Sequence, residues 1–257
     1  MPSEARPAAT IIIIRDTPTG PQVLMLKRSR RSEFFPNAWV FPGGRVDETD
    51  HQTPFTGSAL GIADVDHAFA IAAIRETYEE AGIWLGQGKP STSLRGALNR
   101  RTATLPETGL VADLSRLALW SWWITPEIEP KRYDTRFFIT VLTDTEADNV
   151  ECDEVETIEH RWIRPSVAVD EAESGTFFLA PPTYLTLCEL AGCGNTEDVI
   201  AMATHRVVHP IIPRLDIQDG QWTVVLPGDP SYPVEHPVSG PTKVEYREGR
   251  WWQSSGH

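Results

Sequence analysis

Ala73-Ile74-Arg75-Glu76-Thr77-Tyr78-Glu79-Glu80-Ala81-Gly82-Ile83 is the stretch whose reading decides the fold. At about 100° per residue, a helix here places Glu76, Glu79 and Glu80 on one face and turns Ile71, Ile74 and Tyr78 to the opposite one. Arg75 stands four residues before Glu79, the spacing at which the two pair, and Gly82 sits where a left-handed C-terminal cap is expected. Three carboxylates on one face repel one another, so the face is either solvated or built around a cation. Upstream, Phe41-Pro42-Gly43-Gly44 favours a cation, because two glycines let the backbone approach a ligand or ion closely.

Working outward, 257 residues with 40% hydrophobic and 23% charged side chains describe an ordinary globular chain with enough length for a substantial core. The formal charge of −13 opposes general nucleic-acid binding, which relies on clustered Lys and Arg. An anionic substrate then needs a local device, either metal ions or a few placed arginines. No apolar run approaches the roughly 20 residues of a membrane span. Met1–Arg6 carries no signal-peptide hydrophobic region, so a cytoplasmic location is expected. Cys152, Cys188 and Cys193 are odd in number and lack CxxC spacing, which points to reduced, structural thiols.

Ile11-Ile12-Ile13-Ile14 and Gln22 to Lys27 read as two strands joined by a Pro/Gly turn. Arg28, Arg30 and Arg31 lie in a basic loop, where they meet phosphates or are simply solvated. Trp39-Val40-Phe41 is a short buried strand. Residues 45 to 64 read as a polar loop insertion, with Asp64 or Asp66 capping the helix that follows. Residues 85 to 118 form a second insertion with weakly helical pieces at 94–101 and 110–117. Leu119 to Ile124 and Tyr133 to Leu142 are strands, and the tryptophans at 120, 122 and 123 either pack in the core or stack on a planar ligand.

Residues 144 to 159 carry eight acids, most of them expected to be solvated. Beyond them come a strand at Arg161 to Ile163 and helices at Pro165 to Glu173, Tyr184 to Leu190 and Thr196 to Thr204. A proline-rich tail from 210 has strand-like pieces at Trp222 to Leu226 and Val244 to Tyr246. His205 and His209 share helical spacing, but no adjacent acid completes a metal set, so a structural role is expected.

The helix motif resembles the signature of the Nudix hydrolase family: a glycine, five residues, a glutamate, seven residues, then Arg-Glu-x-x-Glu-Glu-x-Gly. Arg75, Glu76, Glu79, Glu80 and Gly82 match its second half, and Phe41-Pro42-Gly43-Gly44 looks like the strand and turn that enter it. Thirty residues separate Gly44 from Arg75 where an uninterrupted box has thirteen, so seventeen are extra. Counting back from Arg75 instead reaches His67 and Gly61, but only Gly44 has the Phe-Pro-Gly context. With no glutamate in register, Asp47 or Asp66 is the expected stand-in.

An interrupted box resembles the subgroup containing the peroxisomal coenzyme A diphosphatase. Further matches lie at Trp123-Ile124-Thr125-Pro126, at Arg132 to Phe138, at Trp162 with Pro165-Ser166, and at Phe178-Leu179 with Pro181-Pro182-Thr183. Ser255-Gly256-His257 is not a peroxisomal address.

The resemblance implies an α/β fold: a Nudix-like α/β/α sandwich with a mixed central sheet, a helical insertion and a small C-terminal β appendage. The expected division is a Nudix domain over residues 8–205, with insertions at about 45–64 and 85–118, and a β-rich, proline-rich extension over 206–257. It further implies Mg²⁺ or Mn²⁺ held by Glu76, Glu79, Glu80 and the carbonyl of Gly44, with Arg75 beside them. The general base comes from the acidic loop, with Glu154 first and Glu159 second. Arg28, Arg30, Arg31 and Arg132 are candidate substrate contacts, Arg132 alternatively pairing with Asp134.

The expected activity is hydrolysis of a diphosphate linked to another moiety, coenzyme A or an acyl-CoA above all, by a chain that can form a homodimer. A Nudix-fold binding or regulatory module without catalysis is the alternative. Messenger-RNA cap removal is a third reading, and it requires a basic groove around Arg28, Arg30 and Arg31.

Overall fold

Four consecutive isoleucines leave no polar side of a strand to face water, so both faces must be covered. The computed structural model, which describes residues 3–31, 35–61, 67–153, 156–218, 221–238 and 240–253, covers both. Strand β1 (Arg6–Arg15) turns Ile12 and Ile14 into one core cluster and Ile11 and Ile13 into another. It folds back through Thr17–Gly20 into antiparallel β2 (Gln22–Arg28), with Gly20 at φ +108° closing the turn.

β3 (Trp39–Val40) lies on β2, and β4 (Gly43–Arg45) lies on β1. A 3-10 turn at Glu48–Gln52 and β5 (Phe55–Thr56) follow, then helix α1 (His67–Ala81). Insertion 45–64 is therefore more than a polar loop. It buries Asp50 completely, because that carboxylate has a buried guanidinium to meet. Asp64 and Asp66, the expected caps of α1, lie outside the described residues.

β6 (Gly86–Gln87), α2 (Thr92–Asn99) and β7 (Val111–Asp113) form the second insertion. The helical reading of 110–117 is corrected here. Ala112 pairs with Phe55 and Gly86 in a three-stranded sheet, and only 114–116 turn as a 3-10 helix. Pairing on both sides decides the conformation of a piece whose own propensity is weak. Helix α2 caps its neighbour: Arg95 donates to the carbonyls of Glu79 (2.9 Å) and Glu80 (2.8 Å), satisfying the open C-terminal end of α1.

β8 (Ala118–Ile124) and β9 (Tyr133–Val141) extend the sheet, and β9 runs parallel to β1 along its whole length. After α3 (Asp144–Ala147), β10 (Thr157–Ile163) joins β2; this strand starts earlier than the Arg161–Ile163 reading, with a register shift between Thr157 and Glu159. Helices α4 (Pro165–Glu173), α5 (Pro181–Leu190) and α6 (Thr196–His205) follow. Helix α5 begins before Tyr184 because Pro181 and Pro182 occupy its first turn, where a missing N–H costs nothing.

Among the described residues the main sheet has the order β10-β2-β1-β9-β8-β11, where β11 is Pro210–Ile211, and it mixes parallel and antiparallel neighbours. Helix α1 packs under one face, and α4, α5 and α6 pack over the other, giving the α/β/α sandwich. Trp120 is fully buried in the core and Trp123 nearly so, while Trp122 stacks under the Arg136 guanidinium at 3.6 Å. His205 ends α6 and His209 stacks on His236 at 3.8 Å. Among the described residues the three cysteines form no disulfide. No helix among the described residues is long and apolar enough to cross a membrane.

The tail forms an antiparallel sheet of β12 (Arg214–Gln218), β13 (Gln221–Val225), β14 (Lys243–Arg247) and β15 (Arg250–Gln253). Val224, Leu226, Val244 and Trp251 belong to the same hydrophobic cluster as Ile12 and Ile14. Trp251 stacks on Tyr184 of α5 at 5.4 Å and donates its indole N–H to the Leu179 carbonyl at 3.0 Å. Replacing Trp251 by Ala should therefore destabilise the whole molecule, by about 3–5 kcal/mol as for other buried tryptophans. A urea titration checks this, and a loss under about 1 kcal/mol would show that the tail sheet is energetically separate from the sandwich.

Candidate active site

β9 occupies one edge of β1 throughout. The opposite edge is shared: β2 pairs at Ile14 and Arg15, and β4 pairs at Ala8, Ala9 and Thr10. The sheet thus forks between β2 and β4, and Phe41-Pro42 carries the chain across the fork. The carboxylates of α1 meet β4 at this opening. The Gly43 N–H donates to Glu80 Oε2 at 3.0 Å, and a Cβ on Gly44 would overlap the Glu76 carboxylate. Glycine is required at 44 because a side chain and a carboxylate cannot share that space. This contact returns Gly44 to the helix despite the seventeen extra residues between them in the chain.

The space is kept by Arg75, which is buried and uses all five of its N–H donors. Nε and Nη2 bind the two oxygens of Asp50 at 2.8 and 3.0 Å. Nη2 also reaches the Arg45 carbonyl at 2.8 Å, and Nη1 reaches Glu76 Oε1 at 2.8 Å and Glu79 Oε1 at 3.1 Å. Asp47, an expected stand-in for the box glutamate, lies 3.9 Å from Arg75, so the bidentate partner is Asp50 instead. The sequence holds several acids in this insertion, and linear spacing could not single out Asp50. Asp66, the other expected stand-in, lies outside the described residues.

One guanidinium does not balance this many acids. Burial pushes Glu76 up to about 7, with Glu79 and Glu156 adding repulsion that Arg75 only partly offsets. Burial raises Glu80 well above the usual carboxylate range, and the Glu76 charge adds to it against the Gly43 N–H and Arg28. Glu79 is raised by burial as well, with Arg75 opposing. Burial alone would lower the Arg75 pKa, but the Asp50 hydrogen bond and the surrounding carboxylates hold it above its ordinary value. The cluster gains on neutralisation, by protons or by a cation. Among the described residues, no three His, Cys, Asp or Glu side chains converge as a ready-made metal cluster.

These groups line one cavity of about 940 Å³. Arg75, Glu76, Glu79, Glu80, Gly43 and Gly44 border it, together with Arg28, Asp47, Asp153 and Glu156. Glu154 lies outside the described residues. Glu159 does not border the cavity; its strand position pairs it with Lys27 at 3.2 Å, and its side chain is 52% exposed. Asp153 accepts from the backbone of Glu156 and Thr157 and so shapes the loop. Glu156, unmarked in the sequence among eight acids, is the described loop carboxylate whose charge acts on Glu76 and Glu80.

Of the arginines of the basic loop, Arg28 borders the cavity, whereas Arg30 and Arg31 are exposed and do not line it. Arg132 is a correction as well. Its guanidinium donates to the carbonyls of Thr125 (3.0 Å) and Ser3 (2.8 Å), fastening the turn between β8 and β9. Asp134 is engaged instead by Arg136 and the Trp122 indole.

A family model described as the NUDT19 Nudix domain matches residues 58–190, and the NUDIX domain model matches residues 5–101. An acyl-coenzyme A diphosphatase NUDT19 of Gallus gallus is 30% identical over 299 residues, spanning 89% of this chain and 78% of its own. The Homo sapiens protein of that name is 27% identical over 308 residues, spanning 90% and 81%. The crystal structure of a Nudix hydrolase from Alicyclobacillus acidocaldarius superposes with a TM-score of 0.70 at 28% identity, covering 77% of this chain and 96% of that one. Arg75 and its three glutamates fall inside both matched ranges, and on these grounds the chain belongs to the Nudix hydrolase family.

Proposed function

We propose that the chain is a divalent-metal-dependent diphosphatase that hydrolyses the diphosphate of coenzyme A or an acyl-CoA. The observation that carries this reading is the set of Glu76 and Glu79, held by Arg75, and Glu80, held by the Gly43 N–H, at the fork and on a cavity far larger than a diphosphate needs. The relatives named acyl-coenzyme A diphosphatase supply the substrate class.

The donor set fits a hard cation. Mg²⁺ takes oxygen ligands, commonly one or two carboxylates with waters and substrate phosphates, so Glu76 and Glu80, one turn apart, suffice without a closed cluster. Bound there, Mg²⁺ or Mn²⁺ would neutralise the diphosphate, polarise phosphorus and lower the pKa of a water. Arg75 orients Glu76 and Glu79. Arg28 borders the same cavity and is suited to a phosphate oxygen. Glu156, which borders the cavity, is assigned the proton of the attacking water, and Glu154, the first candidate from the sequence, is the alternative. Its oxygen bonds to one phosphorus while the bridging oxygen leaves with the other.

A panel of diphosphate compounds, assayed with and without Mg²⁺ or Mn²⁺ and read by product mass, tests the reading. Turnover should require the metal, and each product should keep one phosphate of the diphosphate. Glu80→Gln should lower turnover by roughly a hundredfold or more, since even indirect partners of metal ligands cost 10- to 100-fold. Full metal-dependent turnover in that variant would remove Glu80 from the metal site.

Glu156→Gln should cost roughly 10²–10⁴-fold in kcat, as loss of a general base does. If Glu154→Gln shows that loss and Glu156→Gln does not, the base is Glu154.

The metal-free protein should also respond to pH. Glu76 has a folded pKa near 7, above the ordinary carboxylate value of 4.5, so its stability contribution is complete below about 4.5 and is lost as pH rises through 7. The melting temperature in chelator should fall between about pH 5 and 8, with Glu76 alone accounting for up to about 3 kcal/mol. Glu76→Gln should flatten that slope, and excess Mg²⁺ should restore stability at the alkaline end. A slope equal in wild type and variant would contradict the assignment.

A further inference from the structure

We propose that the C-terminal sheet is the acyl-binding wall of the catalytic cavity and holds the apolar chain of an acyl-CoA; this rests on the diphosphatase reading above. Among the described residues beyond 205, the side chains that border the cavity are Pro213, Leu215, Trp222 and Val224, all of them apolar. They form one patch. Trp222 and Val224 alternate on the same face of β13, and Leu215 stands directly opposite Val224 on β12.

The patch is continuous with the carboxylates yet distant from them. Gly43, which holds Glu80, pairs with Thr10 on β1, and Thr10 pairs with Phe137 on β9. The next strand is β8, whose Trp123 also borders the cavity. Three interstrand steps of about 4.8 Å put Ser121, the partner of Phe137 on β8, about 14 Å from Gly43, and Trp123 lies two residues further along that strand, several times the span of a diphosphate away. The C-terminal sheet therefore meets whatever the diphosphate carries. Trp123 gives its indole N–H to Ser121 Oγ at 3.2 Å, which leaves its ring to offer apolar contact.

Composition selects between the two ends of such a substrate. A nucleotide end brings phosphates and hydrogen-bonding base edges, for which the described residues of this wall supply no charged partner, in a chain of net charge −13. An uncharged hydrocarbon chain needs only the apolar surface present.

The test is kcat/KM with Mg²⁺ along a series of acyl-CoAs from acetyl to dodecanoyl, for wild type, Leu215→Asn, Trp222→Ala and the conservative Leu215→Met. Wild type should improve by roughly two- to fourfold per methylene over the first buried carbons. The gain should appear in KM, because contact with a passive chain is equal in ground and transition states. Leu215→Asn and Trp222→Ala should each cut the dodecanoyl-to-acetyl ratio by about tenfold, the worth of one or two buried methylenes, and Leu215→Met should restore it.

Equal losses on both substrates would show that the wall meets the shared nucleotide and would overturn the inference. If a variant does not fold, the wild-type series decides: turnover without chain-length dependence overturns this inference alone. Absence of turnover on every CoA compound overturns the diphosphatase reading and this inference with it.

Discussion

The site depends on a buried guanidinium. Arg75 ties three parts of the chain together: Asp50 in the insertion, the Arg45 carbonyl on β4, and Glu76 and Glu79 on its own helix. With all five donors engaged, its desolvation is offset bond by bond. Take away Asp50, and a buried charge loses its planar, two-oxygen partner, the kind of loss that typically costs about 3–5 kcal/mol. The insertion thus supplies the counter-ion that lets a positive charge sit behind a row of carboxylates.

Around that charge the geometry follows from sheet pairing. Because β2 and β4 share one edge of β1, a gap opens where the α1 carboxylates meet Gly43 and Gly44. Helix α2 closes the C-terminal end of the same helix through Arg95. The two insertions therefore both hold the C-terminal half of α1, one through Arg75 on its acidic face and one by its terminal carbonyls. Held in this way, three carboxylates stay close against their own repulsion, which is the electrostatic demand a cation answers.

The C-terminal sheet completes the enclosure. It shares the core cluster of the sandwich through Trp251, Val224 and Val244, so its position is fixed by packing and not by a linker. The same sheet turns Leu215 and Trp222 toward the cavity. A segment that reads as an appendage in the chain is structurally a wall, because hydrophobic burial places strands regardless of their distance in sequence.

By itself the sequence determined the helix and its acidic face, since 3.6-residue periodicity is local, and it determined the buried central strand, since four isoleucines admit no exposed face. The Arg-Glu-x-x-Glu-Glu-x-Gly spacing carried the family with it. Only the tertiary structure decided the partners. Asp50 looked like any acid in a polar loop, Glu156 like one of eight in a run, and Arg132 like a phosphate ligand, until folding brought two of them to the cavity region and gave the third to backbone carbonyls. The short piece at 111–113 became a strand because neighbours on both sides needed pairing. Periodicity and propensity are properties of neighbours in the chain, whereas charge pairing, strand pairing and cavity walls belong to neighbours in space, and only the folded molecule assigns those.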